Sequence, residues 1–237
     1  MDIYDTLING IDESLSVTAI THGCTWTAAE LSDGRFGIAL RNPSSTVGRL
    51  FGSLVGLSAH QAAQAVRSWS LEEASEGMAV INAFYNTPER ISELNASCSY
   101  DKSCTQGMDT DGKKIALIGH LKLQPDALSG ADKVYIIERE PKDGDYPDSA
   151  CEYILPDCDI VIITASAFIN KTMPRLLKLS ENAKTVVIGP SAPLCPEIMQ
   201  HGIDRLSGMV VGDKSSLKDW MSEYRGSPYP YGDVFMI

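Results

Sequence analysis

No stretch of the 237 residues approaches the roughly 20 consecutive apolar residues of a membrane-spanning helix. Basic character is equally scarce. Lys and Arg number 20 against 31 Asp and Glu, a net charge of -11. A nucleic-acid partner needs a positive footprint, so none is expected. The chain has no G-x-S-x-G elbow, no Walker loop, no H-E-x-x-H helix and no C-x₂-C pair. Common hydrolases, nucleotide-hydrolysing enzymes and zinc ribbons lose weight accordingly. The N-terminus, MDIYDTLINGIDES, is too acidic and polar for a secretory leader. A cytoplasmic location with reduced cysteines is the expectation.

What is present suits a folded core. Hydrophobic residues make up 43% of the chain, enough for one large unit or two small ones. Ile3, Leu7, Ile8 and Ile11 recur at helical spacing, which predicts a helix over 2–13. Val, Thr, Ile and Trp dominate 16–30, which reads as one strand. Ser32-Asp33-Gly34 turns it back into a second strand, 35–40. Val47, Leu50, Phe51, Leu54 and Val55 share one helical face. Ser58 with Gln61, and Ser70 with Glu73, are capping-box patterns for two more helices. The first of these carries Ala62, Ala65, Val66 and Trp69. The second buries Leu71, Ala74, Met78, Ile81 and Tyr85 and stops before Pro88.

This half, 1–94, predicts a small α+β unit. Residues 95–112 are polar and turn-rich and read as a linker. From 113 to 237 the pattern changes. Five short apolar runs begin at Ile115, Val134, Ile160, Val186 and Met209, with helical or irregular segments between them. That alternation predicts a doubly wound parallel sheet, helices on both faces, with its ligand crevice at the carboxyl ends of the strands.

Polar groups gather at those ends. His120 follows the first strand and can ligate a metal or exchange protons near neutral pH. Glu138 ends the second strand, where an acid binds ribose hydroxyls in dinucleotide folds. Yet the turn after Ile118 reads GHLKLQ, without the glycine fingerprint for a pyrophosphate. A surface charge paired with Arg139 or Lys133 is the plainer reading of Glu138, and a capping or hydrogen-bonded histidine that of His120. Thr164 and Ser166 follow the third strand. Asn170, Lys171 and Thr172 then open a helix that could hold an anion or simply be capped. Ser191 follows the fourth strand.

On the third helix of the first half, Glu73 and Asn82 project 180° apart, so at most one faces a shared crevice. Cys98 with Cys104 and Cys151 with Cys158 lack the C-x₂-C spacing of zinc sites, whereas His22 and Cys24 could share a strand face and bind a soft metal; a buried thiol or loop residue is the plainer reading of each set. Cys195 precedes Pro196 at a helix start, where a thiolate is favoured.

The chain resembles the putative heavy-metal-chelation family. The carriers are Gly23 with Trp26-Thr27, Glu73 to Ala79, Ile81-Asn82-Ala83, Gly119-His120, Glu138-Arg139 and Gly144-Asp145. Thr164 to Ala167, Asn170-Lys171-Thr172 and Gly189 to Leu194 complete the set. The resemblance implies an enolase N-terminal-like first half, a Rossmann-like second half and a pocket between them. It also implies links to metal uptake, siderophores or cobalamin metabolism. Ala165 departs from the family's usual glycine, and its methyl is expected to narrow the pocket.

Three functions follow as expectations. The first is binding of a transition-metal ion or metal chelate in the cleft. His120 and Glu138 would act there as metal ligands or as catalytic acid and base. Ser166, Asn170, Lys171, Thr172 and Ser191 would orient an anionic group, and Glu73 or Asn82 would close the site. The second is a transferase-like enzyme with a nucleotide-like cosubstrate at Glu138. The third is a non-catalytic binding module. A homodimer is the base-rate expectation for assembly.

Overall fold

The first helix, α1 (Ile3–Asn9), starts on a reciprocal cap in which Asp2 and Asp5 each accept the other's backbone N–H. Such a cap stabilises a helix start by about 1 kcal/mol. The structure is a computed structural model and describes residues 1–43, 47–94, 96–98, 104–123 and 126–237. Part of the loop after Asn42, part of the expected linker and part of the turn after His120 lie outside the described residues.

The expected single strand over 16–30 is two: β1 (Val17–His22) and β2 (Trp26–Leu31). A turn at Gly23 parts them, and the Gly23 amide donates to the Trp26 carbonyl at 2.9 Å. With β3 (Phe36–Leu40) they form an antiparallel sheet in the order β1-β2-β3. Residues 47–56 form no helix. Their apolar periodicity is real, but Val47, Leu50 and Val55 stay exposed and only Leu54 is buried. The backbone of this strap is held by a side chain instead, as described below.

Helix α2 (Ala59–Ala63) uses the expected box of Ser58 and Gln61. A short 3-10 turn follows, and Trp69 beyond it is exposed. Helix α3 (Leu71–Tyr85) is buried on every side from Glu73 onward. It lies too close to its neighbours for side chains at two points. A Cβ on Gly37 of β3 would stand 2.0 Å from the Ala83 nitrogen, and one on Gly77 would stand 2.2 Å from the Val66 nitrogen. Helix α4 (Pro88–Glu93) follows, capped by Thr87.

Among the described residues, the second half and a short strand from the segment before it form one sheet of eight strands. These are β4 (Ser97–Cys98), β5 (Lys114–Ile118), β6 (Lys133–Glu138), β7 (Tyr146–Pro147), β8 (Ile160–Thr164), β9 (Lys184–Ile188), β10 (Arg205–Val211) and β11 (Gly232–Met236). All five expected runs are strands, and neighbours among them are parallel. The order is β7-β6-β5-β8-β9-β10, with β11 and β4 added antiparallel. Counted from β5, that is 3-2-1-4-5-6, the order of doubly wound dinucleotide-binding sheets. Helices α5 (Cys151–Ile154), α6 (Ser166–Ile169), α7 (Met173–Leu179) and α8 (Lys214–Glu223) lie in the connections. The strand-like EYILP between Cys151 and Cys158 is helical. The link from β5 to β6 holds turns rather than a helix among the described residues. There Leu121, Leu123 and Leu128 pack against Ile115, Leu117 and Ile162.

The architecture is thus a small antiparallel sheet with helices, then a larger, mostly parallel sheet with helices. The halves share their cores. Trp26, Ala28, Phe36 and Ile38 pack with Met209, Leu217 and Met221. Buried Asn86 donates to the Ala192 and Met209 carbonyls and accepts from the Leu194 amide.

Candidate functional site

After β5 the chain runs to β6 on one side, and after β8 it runs to β9 on the other. A crevice opens where neighbouring strands diverge in this way. The C-terminal ends of β5, β6 and β8 border a cleft of about 340 Å³. The end of β3 contributes Leu40 and Asn42, so both halves supply walls. The cleft meets a wider hollow of about 570 Å³ that shares His120, Glu138 and Arg139.

Gly119 makes the corner. Its φ is 100°, a left-handed value that glycine adopts freely. A Cβ there would stand 3.2 Å from Thr164 Cγ2, on the opposite wall. The chain can therefore turn sharply and deliver His120 to Glu138. The His120 amide donates to Glu138 Oε1 at 2.9 Å, and the Arg139 amide to Oε2 at 3.0 Å. Two backbone donors thus fix the carboxylate.

The imidazole lies between two acids. Nδ1 is 3.2 Å from Glu138 Oε1, and Nε2 is 2.9 Å from Asp145 Oδ2. The Asp145 side chain is only 5% exposed, and its Oδ2 also accepts the Lys142 amide. A neutral imidazole has one N–H, so it can donate to only one of the two acids.

This geometry fits a metal at Nδ1. Metal-binding histidines commonly donate their other ring nitrogen to a carboxylate, the part Asp145 is placed to play. Two ligands each about 2.1 Å from an ion, at an angle near tetrahedral, stand roughly 3.2–3.4 Å apart. The Nδ1 to Oε1 separation is 3.2 Å. Yet among the described residues no three His, Cys, Asp or Glu side chains are placed to hold an ion together. Remaining ligands would come from the bound molecule or from water.

Of the residues named from sequence, Ser166, Asn170 and Thr172 line the cleft with His120 and Glu138. Ser166 Oγ is 3.1 Å from Thr164 Oγ1. Asn170 Oδ1 accepts from both the amide and the hydroxyl of Thr172. Four others stand elsewhere. Ser191 is buried and accepts the Leu40 amide at 2.8 Å, joining the halves behind the cleft wall. Lys171 is not part of the cleft lining, and its ammonium donates to the Ile169 carbonyl at 2.7 Å. Burial alone pulls it down to about 8. Its φ of 68° costs a non-glycine residue about 1–2 kcal/mol.

Glu73 closes nothing and caps no box; Ser70 makes no side-chain cap. Its buried carboxylate accepts the Leu50 and Phe51 amides and the Ser68 hydroxyl. Those bonds hold the strap at 47–56 and leave it no helix. Beside it, Glu76 pairs with Arg49 and with His22. Asn82 donates to the Ile38 carbonyl inside the first half. Leu40 and Asn42 take the closing role instead.

Three further expectations change. Ala165 is buried in the core and is not a cleft wall. His22 and Cys24 have different partners, since the Cys24 thiol faces the Ser222 carbonyl. Burial, reinforced by a hydrogen bond to Glu197, pushes the Cys195 thiol up to about 12, so no thiolate is favoured there. Sequence reasoning gave no role to Asn42 or Asp145. The Gly144-Asp145 pair after the second strand was the visible signal for the latter.

A two-walled α/β protein with a histidine–carboxylate cleft at its strand ends is the class this geometry defines. Comparison with known sequences makes it specific. Residues 4–85 and 106–227 each match family models described as putative heavy-metal chelation, and the chain belongs to that family. It is similar throughout to a protein of unknown function from Desulfitobacterium hafniense. The two are 35% identical with a TM-score of 0.86, over 99% of this chain and 97% of that one. A Pyrococcus horikoshii protein of unknown function shares the fold at 23% identity and a TM-score of 0.80, with the same coverage. An uncharacterised Methanocaldococcus jannaschii protein is 28% identical over 156 residues. That match spans 62% of this chain and 58% of its relative.

Proposed function

We propose that the cleft binds a metal ion carried in a small organic chelate. His120 Nδ1 and Glu138 Oε1 act as the protein's two metal ligands. The observation that carries this reading is the single imidazole set between Glu138 and Asp145, with a ligand-like spacing to the former. The family's description points the same way. Two protein ligands hold a bare ion weakly, so the chelate supplies the other donors. Asn42, Ser166, Asn170 and Thr172 offer it hydrogen bonds, and Leu40 and Ile118 offer apolar surface. Roles in metal uptake, siderophore handling or cobalamin metabolism all suit such a ligand.

A second reading draws on the strand order. Glu138 ends the strand next to β5, where ribose-binding acids stand, so a nucleoside such as S-adenosylmethionine would meet its carboxylate. The lone glycine at 119 gives this reading less support.

Elemental analysis of protein purified without an affinity tag, with thermal shifts against metals, citrate chelates, S-adenosylmethionine and nucleotides, separates the two. A metal or chelate is expected to raise the melting temperature, and His120→Ala to fold normally and lose that rise. A rise with a nucleotide and with no metal or chelate overturns the metal reading.

A further inference from the structure

Arg139 follows Glu138 in the chain and borders both the cleft and the wider hollow outside it. Its backbone amide is taken by Glu138 Oε2. Its guanidinium is exposed and, among the described residues, meets no carboxylate, carbonyl or ring. Most arginines of this chain are engaged. Arg35, Arg41, Arg49, Arg67 and Arg175 each pair with an acid. Arg205 holds two carbonyls, and Arg90 stacks on two rings. Arg225 also stands alone, but it lines neither the cleft nor the hollow.

Lys142 lines the same hollow as Arg139. Its amide donates to Asp145, and its ammonium has no partner among the described residues. With Glu138 committed to the metal, these two cations face one further acid in the hollow, Glu140. Asp148 borders the cleft, but Arg175 pairs with it. The rim is therefore cationic on a chain of net charge -11. A loose surface cation needs no function. Two that share a hollow beside a metal position match what the ligand must carry. A chelate that completes the coordination of His120 and Glu138 commonly does so with ionised oxygens, and is itself an anion.

We infer that the hollow is an oxyanion subsite, in which Arg139 and Lys142 hold a carboxylate or phosphate arm of the chelate that does not touch the metal. The planar guanidinium takes two oxygens at once, and the ammonium adds a point charge. Lys171, expected from sequence to meet the anion, is held on the Ile169 carbonyl, and these two cations take its part. The subsite rests on the metal-chelate reading and narrows it to ligands with a free anionic arm.

Two nickel complexes with open coordination positions separate the arm from the metal. In nickel iminodiacetate every carboxylate is on the metal, whereas nickel citrate leaves one free. In calorimetric titrations the wild type is expected to bind the citrate complex more tightly. Arg139→Gln should weaken that complex by about 10-fold and leave the iminodiacetate complex unchanged. Arg139→Lys should recover only part of the loss. Unchanged citrate binding in Arg139→Gln overturns the inference. So does an equal loss for both complexes, which would make Arg139 a prop for Glu138. If the wild type binds neither complex, the metal reading fails, and metal-free citrate and pyrophosphate decide the subsite alone. Binding that Arg139→Gln abolishes keeps the subsite, and the anion that binds names the arm as carboxylate or phosphate. Binding of neither anion overturns it.

Discussion

The Asp145 carboxylate stands 2.9 Å from Nε2 of His120, on the side of the ring away from Glu138. It fixes the ring plane and, in a metal complex, selects the tautomer whose Nδ1 is free to bind. Asp145→Ala is expected to keep the fold and to weaken chelate binding by about 10–100-fold. Calorimetric titration with a metal citrate checks this; unchanged affinity would make Asp145 a loop brace only.

Gly77 reverses the usual rule for glycine in a helix. Alanine in a helix interior normally adds about 0.5–1 kcal/mol. Here the new methyl would press on the Val66 nitrogen at 2.2 Å and the Ala65 carbonyl carbon at 2.7 Å. Gly77→Ala is therefore expected to lower stability by about 1–3 kcal/mol or more, measured by urea unfolding.

Glu73→Gln sets an amide among donors. The Leu50 and Phe51 amides both point at this side chain, and one would face an NH₂ group instead of an oxygen. A loss of about 1–3 kcal/mol is expected. Residues 47–56 should become the first site of proteolytic cleavage. A wild-type digestion pattern would refute the pinning of the strap by Glu73.

Lys171 sets a pH dependence of known sign. Its folded value, about 8, lies below the ordinary 10.5, so the unfolded chain binds the proton more tightly. The penalty is complete below pH 8 and fades as pH rises toward 10.5. Lys171→Met should therefore exceed the wild type in stability at pH 7. That advantage should shrink through the same window in parallel denaturant titrations.

The thiols should divide by burial. Cys151 and Cys158 are pushed up to about 11 and Cys195 to about 12, chiefly by desolvation, while Cys24 and Cys104 are half-exposed. Iodoacetamide with peptide mapping should modify Cys24 and Cys104 in the native protein. Cys151, Cys158 and Cys195 should react only after unfolding.

The parallel sheet was legible because its central strands are buried on both faces, which leaves unbroken runs such as Ile160 to Ile163. His120, Glu138, Ser166, Asn170 and Thr172 could be gathered from their positions at strand and helix ends. What escaped depends on contacts distant in the chain. The apolar spacing over 47–55 reads as helix, and only the Glu73 carboxylate folding back onto two amides says otherwise. Ser70 and Glu73 spell a capping box, yet buried Ser68 takes the acid first. Ser191 follows a strand and so looked exposed to ligand, whereas the β3 amide of Leu40 claims it. Asn42 lies in a loop whose composition gives no hint of where its side chain goes, and at Asp145 the Gly144-Asp145 pair marks the turn but not the histidine it meets.

Helix α8 is encoded near the chain's end, yet Leu217 and Met221 fill the outer face of the first small sheet. Lys214 and Lys218 both reach Glu30, and the Trp26 indole donates to the Gly226 carbonyl. Heat should therefore melt the molecule as one cooperative transition, with calorimetric and van 't Hoff enthalpies in agreement. A fragment ending at Leu94 would leave Trp26 and Phe36 in water. During synthesis the early strands must wait for the last helix to emerge before their core can close.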